Sequence, residues 1–398
     1  MSTGTPGHAL DHIVPTNIHA LISEGSARLL HHEKFLRVQM TDVTGVVRRP
    51  RPFRVEDPFS SGNADTLLND NGYIPALDLF CVELNDATLL GERAILLNET
   101  RQLMTDSHHP EHSVDVLAVD DRRQFERVPL RKVDDGYNFE NPMPQMIEID
   151  DPVILLSSME ENNYGAFLLR VATKLIQIGR LGLNETKVLV ASRGAWQRTI
   201  LKWAGIGEDR LIDHDAAYCY QARQMIVPSL RLPNFFLDDA SVAFCQAIRE
   251  RIAREHEVPT GASPLVYVSR RGQAIKNPTH RVMTNEAELI EMLERKGFCI
   301  FEPEAHSFEV QAMVFGQARM VVGPGGAGMF NTIFCRPGVT MISMEPQMDW
   351  LVMHANIFSS MGHQYGLVVG GSDPTDHSAQ KRWRADLPSM ARLIDAIV

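Results

Sequence analysis

MVVGPGGAGMFNTIF, residues 320–334, contains a short apolar strand, a glycine turn and the start of a helix. Its glycines at positions 323, 325 and 328 match the pattern G-x-G-x-x-G. Glu345 follows at the distance where dinucleotide-binding folds place the acid that contacts a ribose. Because glycines let backbone amides approach an anion at a helix N-terminus, the stretch predicts a phosphate-binding turn in an α/β domain.

Strands and helices alternate on both sides of this turn, over residues 264–398. Asn285 and Glu288 are placed like an N-cap and its N3 acid, and Ser307 is placed to cap the next helix. Continuous apolar strands between helices predict a parallel sheet that is covered on both faces. The predicted strands cover 264–269, 298–303, 319–323, 340–345 and 365–369, and the predicted helices lie near 285–296, 307–318, 327–335, 349–361 and 387–397.

The position of the glycine turn argues against a nicotinamide or flavin enzyme. In a dinucleotide fold the glycine fingerprint follows the first strand of the domain, whereas here it follows the third predicted strand. The helix after Gly328 is also short, because the sequence RPGV ends it. An NAD-dependent dehydrogenase is therefore the less favoured alternative. A diphosphate loop for another nucleotide and a tight turn without a ligand both remain open.

Two further segments precede the C-terminal domain. Residues 1–75 contain prolines and glycines that break weak patterns, so an irregular N-terminal segment is predicted there. Residues 76–256 are predicted to form a second domain, which begins with a β-rich meander over 76–99 and continues with strand–helix alternation. A Pro-, Gly- and Ser-containing linker separates it from the doubly wound domain, residues 264–398.

Composition restricts the partners. The 398 residues carry a formal net charge of -11, which argues against broad binding of nucleic acid or of an anionic membrane. The N-terminal sequence lacks a basic segment that leads into an apolar core, and no long apolar run follows elsewhere, so no transmembrane segment and a cytoplasmic location are expected.

Polar residues follow the first strand of the C-terminal domain. Ser269, Arg270 and Arg271 stand at its end, and ligands of open α/β sheets lie beyond the carboxyl ends of the strands. Arginine there can donate two parallel hydrogen bonds to a diphosphate. Since neighbouring residues of a strand point to opposite sides, only one of the two arginines is expected to face the ligand. Glu345, at the end of another strand, either accepts bonds from ribose hydroxyls or is a plain strand-end charge.

With these residues in place, the chain from about residue 76 to the C-terminus resembles glycosyltransferase family 61. The family pattern is a strand ending in Ser-Arg, an arginine before Asn-Glu, a Gly-Phe pair, a Gln-bearing helix and the turn G-x-H-G-A-G-h-x-N. The matching positions are Ser269, Arg270, Arg281, Asn285, Glu286, Gly297, Phe298, Gln311, Gly323, Gly326, Ala327, Gly328 and Asn331.

The resemblance implies a GT-B-like α/β architecture: two Rossmann-like domains facing a cleft, with a β-rich N-terminal extension. It implies an inverting, metal-independent transfer of sugar from a nucleotide-sugar donor, by expectation a UDP-sugar, to a glycan acceptor, without a cofactor. Bacterial relatives suggest capsule or exopolysaccharide synthesis and a possible association with a polysaccharide assembly complex. The implied donor-binding residues are the matched polar and glycine-turn positions together with Arg271, Gly325 and Glu345.

The chain departs from the family pattern at three chemically capable positions. Gly325 stands where the family turn carries histidine, and Ala166 and Arg170 stand where a family helix carries histidine and an acid. Either another residue is the general base or the protein binds nucleotide sugars without transferring them, as a pseudoenzyme or partner protein. The base candidates are Glu160, Glu161, Asp213, His214 and Asp215. Asp213 and Asp215 also form the one D-x-D of the chain, which leaves a metal-binding alternative open.

Overall fold

The computed structural model of the protein describes residues 13–35, 38–41, 47–62, 64–69, 73–74, 78–91, 94–104, 130–133, 136–139, 143–158, 160–231, 235–346, 348–372 and 382–397. These residues belong to two compact units. Unit 1 is Met1–Phe35 with Leu77–Pro233, and unit 2 is Leu36–Ala76 with Asn234–Val398.

The strands and helices are numbered here in chain order. The strands are β1 (Val14–Thr16), β2 (Ala27–Lys34), β3 (Val47–Arg48), β4 (Arg54–Glu56), β5 (Tyr73–Ile74), β6 (Asp78–Leu90), β7 (Ala94–Leu97), β8 (Gln102–Met104), β9 (Leu130–Val133), β10 (Gly136–Phe139), β11 (Met146–Ile149), β12 (Val153–Leu155), β13 (Lys187–Val190), β14 (Leu211–Asp213), β15 (Cys219–Pro228), β16 (Leu265–Val268), β17 (Cys299–Phe301), β18 (Met320–Pro324), β19 (Thr340–Glu345), β20 (Gln364–Val369), β21 (Gly371–Ser372) and β22 (Trp383–Arg384). The α-helices are α1 (Ile18–Glu24), α2 (Ala64–Asn69), α3 (Tyr164–Ala166), α4 (Leu175–Leu181), α5 (Ala195–Ala204), α6 (Asp239–Glu255), α7 (Arg271–Lys276), α8 (Glu286–Arg295), α9 (Phe308–Gln317), α10 (Met348–Ser360) and α11 (Leu387–Asp395). Short 3-10 helices cover Val38–Met40, Ala172–Lys174, Glu208–Arg210, Pro303–Ala305 and Ala327–Phe334, and a π-helix covers Phe167–Val171.

Unit 2 contains the parallel sheet that the apolar strands predict. Its strand order is β17-β16-β18-β19-β20-β4, and all of these pairs are parallel. Counted from β16, the first five strands follow the doubly wound order 2-1-3-4-5. The chain reverses its direction of strand addition between β16 and β18, which is the topological switch point where ligands of such sheets bind. The glycine turn follows β18, the third of these strands, as the sequence predicts.

The core of unit 2 explains why its strands read as continuous apolar runs. Tyr267, Val322, Ile342 and Val368, on four adjacent strands, are fully buried and belong to one apolar cluster. Helix α8 adds buried leucine and isoleucine side chains to the same cluster. A strand that is covered on both faces cannot alternate apolar with polar residues, so period-two patterning is absent by necessity.

Helix capping in unit 2 follows the sequence at one predicted position and departs from it at another. The Ser307 side chain accepts a hydrogen bond from Val310 N at 3.3 Å and caps α9 as predicted. Asn285 precedes α8, but its side chain makes no capping bond. It donates instead to Ala385 O at 2.8 Å and accepts from Ala385 N at 2.9 Å. The capping prediction for Asn285 is wrong because a segment distant in sequence competes for the same amide group.

Unit 1 is built on a mixed sheet. The predicted meander is present, since β6, β7 and β8 pair in antiparallel order. Strands β12, β13 and β14 are parallel to one another. The ten-residue strand β15 pairs antiparallel with β6 and parallel with β12. Asn163 caps α3, and the helical segment continues as the π-helix Phe167–Val171.

The described residues of the N-terminal 75 positions do not form a separate irregular segment. They include β1 to β5 and two short helices, and they are divided between the two units. Strand β4 extends the parallel sheet of unit 2 by pairing with β20, and Tyr365 Oη donates to Pro50 O at 2.6 Å. Helix α6, placed by prediction in the middle domain, also belongs to unit 2. These short elements are stabilised by partners far along the chain, which local patterns do not reveal.

In the part of the chain that the structure describes, no helix combines the length and the apolar character that crossing a membrane requires.

Two histidines of unit 2 are buried as neutral side chains. His354 is fully buried, with Nδ1 at 2.8 Å from Ser343 Oγ. His363 is 5% exposed, and its Nε2 donates to Thr332 O at 3.2 Å. Burial lowers the pKa of His354 to about 3, with the charges of Arg281 and Arg270 adding to the effect, and lowers the pKa of His363 to about 4.

These pKa shifts predict that unit 2 loses stability in acid. The unfolded histidines titrate near about pH 6.5, so between that pH and the folded pKa values unfolding takes up protons. Stability is fully present above about pH 6.5 and falls by about 1.4 kcal/mol per pH unit for each histidine as the pH is lowered. Denaturant unfolding at several pH values between 7.5 and 4.5 measures this slope. His354→Gln and His363→Gln should each flatten it, and a slope that neither substitution changes would contradict the assignment.

Candidate functional site

The glycine turn and the end of the first strand meet at the switch point of the unit 2 sheet. Strands β16 and β18 are neighbours, so the residues that follow them share one edge. Arg270 follows β16, and its Nη1 donates to Gly325 O in the turn after β18 at 2.6 Å. The structure thus joins the two features that sequence analysis singled out separately.

The close packing of the turn leaves no room for side chains at two of its glycines. A Cβ at Gly323 would lie 2.6 Å from Met329 Sδ, and a Cβ at Gly326 would lie 2.8 Å from Arg270 Nη1. Gly326 also has a positive φ of 156°, which disfavours any other residue. The 3-10 helix that starts at Ala327 follows directly. Its first amides, including that of Gly328, precede any carbonyl partner within the helix, which is the arrangement found in anion-binding turns.

Glu286 organises the end of β16. One of its oxygens, Oε1, accepts hydrogen bonds from Tyr267 Oη at 3.1 Å, Ser269 Oγ at 3.0 Å and Arg270 N at 2.9 Å. Burial, and next the Glu286 charge, raise the pKa of Tyr267 well above its usual value, so its hydroxyl remains a donor. Ser269 and Glu286 are themselves buried. The geometry therefore makes them positioning residues for Arg270.

The two neighbouring arginines point to different partners. Arg270 reaches the glycine turn, whereas Arg271 donates from Nε and Nη2 to Glu302 Oε1 at 3.2 and 2.9 Å. The Arg271 side chain is half exposed. Of this pair, the structure brings Arg270 alone to the turn.

Arg281 is the second cation beside the turn. Its side chain is buried, its Nη1 lies 3.5 Å from Glu345 Oε2, and its guanidinium lies 4.1 Å from the centre of the Trp350 ring. Burial lowers the pKa of Arg281 to about 10. The charge of Arg270 acts in the same direction, and the charge of Glu345 opposes both effects. The Arg281 guanidinium is therefore still protonated at neutral pH. Arg281 also has a φ of 50°, a conformation that costs energy for a residue with a side chain. Trp383 Nε1 donates to the Arg281 carbonyl at 3.3 Å and helps to hold it there.

Glu345 fills the space beside Gly325. It ends β19 and is fully buried, and a Cβ at Gly325 would lie 2.8 Å from its Oε2 and 3.3 Å from its Cγ. The space that a side chain at position 325 would need is therefore occupied by the carboxylate of another residue. The sequence shows both residues, but only the structure shows that they exclude each other.

Gln311 and Asn331 support the loops instead of facing the pocket. Gln311 Nε2 donates to Pro303 O at 2.8 Å and to His306 O at 3.1 Å. Asn331 Nδ2 donates to Gln311 Oε1 at 2.8 Å, and both side chains are buried. This chain of hydrogen bonds ties the turn and its helix to the loop after β17.

A shallow pocket opens at this edge of the sheet. Two of its residues, His280 and Trp383, were not predicted from sequence, nor was Trp350, which stacks on Arg281 outside the pocket lining. His280 directly precedes a predicted arginine, which is the one sequence signal that would have found it. The two tryptophans come from distant segments. The pocket is lined by Arg270, Ala274, His280, Arg281, Glu286 and Trp383, among others.

Asp213 and Asp215 lie at the carboxyl edge of the parallel strands in unit 1 and bind a cation of the protein itself. Arg193 Nε is 2.7 Å from Asp213 Oδ2, and Arg193 Nη2 is 2.8 Å from Asp215 Oδ2. Asp213 also accepts from Ser192 N at 2.8 Å. The hydrogen bond from the Ala217 amide lowers the pKa of Asp215. Burial acts in the opposite direction, and the charge of Arg193 lowers the pKa further. Within the described ranges, no three His, Cys, Asp or Glu side chains gather in a way that would hold a metal ion.

His214 and Glu161 form a buried pair behind these aspartates. His214 Nδ1 contacts Glu161 Oε1 and lies 3.2 Å from Ser157 Oγ, while Nε2 donates to Gly91 O at 2.9 Å. Because Nε2 must carry a proton for that bond, Nδ1 is the ring nitrogen that faces Glu161 and Ser157. Both side chains are at most 3% exposed, whereas Glu160 is exposed. The pair belongs to the core of unit 1.

A parallel sheet of order 2-1-3-4-5, with an arginine and a glycine turn at its switch point, defines a doubly wound α/β protein, and ligands of proteins with this fold bind at that switch point. The chain belongs to glycosyltransferase family 61: the family model described as "Glycosyltransferase 61" matches residues 8–342. A comparison with curated proteins finds no match. Membership of this family implies glycosyltransferase activity and, with it, a donor and an acceptor substrate.

Proposed function

We propose that the protein is an inverting, metal-independent glycosyltransferase that takes a nucleotide sugar, with UDP-sugars as the first choice, and transfers the sugar to a glycan acceptor of a surface polysaccharide. The observation that carries the proposal is the contact between Arg270 and Gly325 at the switch point. This contact brings a guanidinium and the amides of a helix N-terminus to the same place, which is the combination that a diphosphate requires.

The chemistry of inversion assigns roles to these groups. An acceptor hydroxyl attacks the anomeric carbon, the bond from that carbon to the diphosphate breaks, and the nucleoside diphosphate leaves with the electron pair. Arg270, Arg281 and the turn amides would stabilise the negative charge that develops on the leaving diphosphate. Since both arginines are protonated and held in place, this stabilisation needs little rearrangement at the moment of reaction.

The proton of the acceptor hydroxyl requires a base. Asp213 and Asp215 are the favoured candidates, because their side chains are 34% and 25% exposed whereas Glu161 and His214 are enclosed. The pKa of Asp215 is lowered, which makes its carboxylate a weaker base than an ordinary aspartate. Because Asp213 is in unit 1, this role belongs to the GT-B-like part of the proposal, in which the two units provide one substrate site each.

One observation supports a substrate site in each unit. Each unit has parallel strands with polar residues at or beyond their carboxyl ends. In unit 1 these are Asp213 and Ser192, and in unit 2 they are Arg270 and the glycine turn. Ligand sites of α/β sheets form at this edge. Association with a polysaccharide assembly complex and a cytoplasmic location complete the proposal.

A panel of nucleotide sugars tests the function. Protein stability is followed by thermal unfolding with UDP-glucose, GDP-mannose, dTDP-glucose, the free diphosphates and NADH. Saturation at about 100 times the dissociation constant is expected to add about 2.7 kcal/mol to the stability of the folded state for the matching nucleotide. A rise in melting temperature with one nucleotide class, followed by sugar transfer in the presence of EDTA, is the expected result.

The other outcomes separate the alternatives. Stabilisation by a nucleotide sugar without transfer to any acceptor would favour a binding protein without turnover. Stabilisation by NADH alone would favour a dehydrogenase. Loss of transfer on adding EDTA would favour a metal site at Asp213 and Asp215. No stabilisation by any of these ligands would contradict the donor site.

A further inference from the structure

Carboxylates offset the fixed positive charges around the candidate pocket. Arg281 is paired with Glu345, and Arg270 lies beside Glu286, whose oxygen accepts its backbone amide. These are two cations against two carboxylates, and Glu304 adds a further negative charge that acts on Arg270. The diphosphate of a nucleotide sugar is doubly negative, so binding on these fixed charges alone would leave an uncompensated negative charge in a half-buried site. Such a charge is costly in a protein interior.

One further ionisable side chain lines the same pocket. His280 is exposed and shares the pocket with Arg270, Arg281 and Glu286. It lies on the loop between α7 and α8, where its backbone amide donates to Asn277 O at 3.0 Å. Three charged groups therefore share the pocket with His280: Arg270 at the end of β16, the adjacent residue Arg281, and Glu286 of α8.

From this charge balance, and resting on the proposed function, we infer that His280 takes up a proton when the nucleotide-sugar diphosphate binds and becomes the third cation of the donor site. In the free protein, partial burial and the charges of Arg281 and Arg270 lower the pKa of His280, so the imidazole is neutral at neutral pH. A bound diphosphate offsets those two charges and adds an attraction of its own. Both changes favour the imidazolium.

The inference predicts a pH dependence of binding. A ligand that raises the pKa of a group binds more tightly as the pH falls from the bound-state pKa to the free-state pKa. The affinity is expected to rise between about pH 8 and about pH 6, by up to about tenfold for each unit by which the ligand raises the pKa of His280. Below the free-state pKa it should level off.

Titration calorimetry measures the proton directly. UDP-glucose is the first probe, with GDP-mannose and dTDP-glucose in parallel, because a nucleotide sugar is a diphosphodiester and does not itself titrate in this range. Binding is measured at about pH 6.5 in buffers of different ionisation enthalpy. The dependence of the observed heat on that enthalpy gives the number of protons taken up, and uptake of a substantial fraction of a proton is expected. His280→Gln should abolish the uptake, and His256→Gln, at an exposed histidine of the same unit, should retain it.

The possible outcomes distinguish a failure of this inference from a failure of the proposed function. Binding without any dependence on the buffer, or uptake that persists in His280→Gln, overturns the inference and leaves the proposed function in place. No binding heat with any of the three probes overturns the proposed function and this inference with it. The wild-type pH profile is a second measurement that does not depend on how the variant folds: a flat profile from pH 8 to 6 would also overturn the inference.

Discussion

Arg270→Ala is expected to lower the affinity for the nucleotide-sugar donor by roughly 100-fold or more, because each charge-assisted hydrogen bond is worth about 1.5–3 kcal/mol and arginine can donate two to a diphosphate. The same variant should lose transfer activity, since the proposed mechanism uses the guanidinium to stabilise the leaving diphosphate. Arg270 holds the turn through Gly325 O, so the loss of this bond adds a misplaced loop to the missing charge. Calorimetry with the matching nucleotide sugar gives the affinity, and a transfer assay gives the rate.

Arg271→Ala is the matched control, since it removes the same side chain one position further on. Its exposed ion pair with Glu302 contributes at most about 1 kcal/mol, and no more than a few-fold change in affinity is expected. Arg270→Lys keeps the charge without the planar fork and should lie between the two. Equal losses in Arg270→Ala and Arg271→Ala would contradict the assignment of Arg270 as the contact to the diphosphate.

Replacing Gly325 by histidine is expected to destabilise the protein. The carboxylate of Glu345 already occupies the space, and because Glu345 is fully buried an imidazole would displace it from Arg281. Breaking a buried ion pair costs about 3–5 kcal/mol, which corresponds to a fall in melting temperature of roughly 10 °C in a unit of this size. Gly325→His should therefore fold less stably than the natural chain, as measured by thermal and denaturant unfolding.

Three variants test whether competition with the Glu345 carboxylate is what destabilises Gly325→His. Gly325→Ala adds only a Cβ, which a small rotation of the carboxylate can accommodate, so its effect should be much smaller. Gly179→His introduces the same residue where nothing lies within 4 Å of the added Cβ and should be nearly neutral. Combining Gly325→His with Glu345→Ala provides space and should recover part of the loss. If the double variant is less stable than the sum of the single changes predicts, Gly325 and Glu345 do not compete for one space.

Unit 2 shows how much of a fold local sequence can specify. The strand predicted at 340–345 is observed over the same residues, and Ser307 caps the helix that it was predicted to cap. Here the central strands are covered on both faces and α9 has its own start signal, so the information lies within a few residues of the element. In unit 1, by contrast, the ten-residue strand β15 takes its length from pairing with β6. That partner lies far away in the sequence.

The candidate site was likewise predicted from the sequence in part and depended on the tertiary structure for the rest. The sequence placed Arg270 and the glycine turn at strand ends, and a parallel sheet brings strand ends to one edge, so their proximity followed from the fold class. The strand pattern alone did not distinguish Arg270 from Arg271, because both arginines follow the same strand. That choice depends on Glu302, which pairs with Arg271, and on Gly325 O, which accepts from Arg270.

By itself, then, the sequence determined the parallel sheet of unit 2, the glycine turn on its third strand and the family to which the chain belongs, because periodicity and spacing are local properties. The tertiary structure alone decided that Glu345 stands where a side chain at position 325 would be, that Trp350 covers Arg281, and that His280 lies in the same pocket. These contacts join segments whose separation along the chain carries no pattern. They exist only because packing brings the segments together.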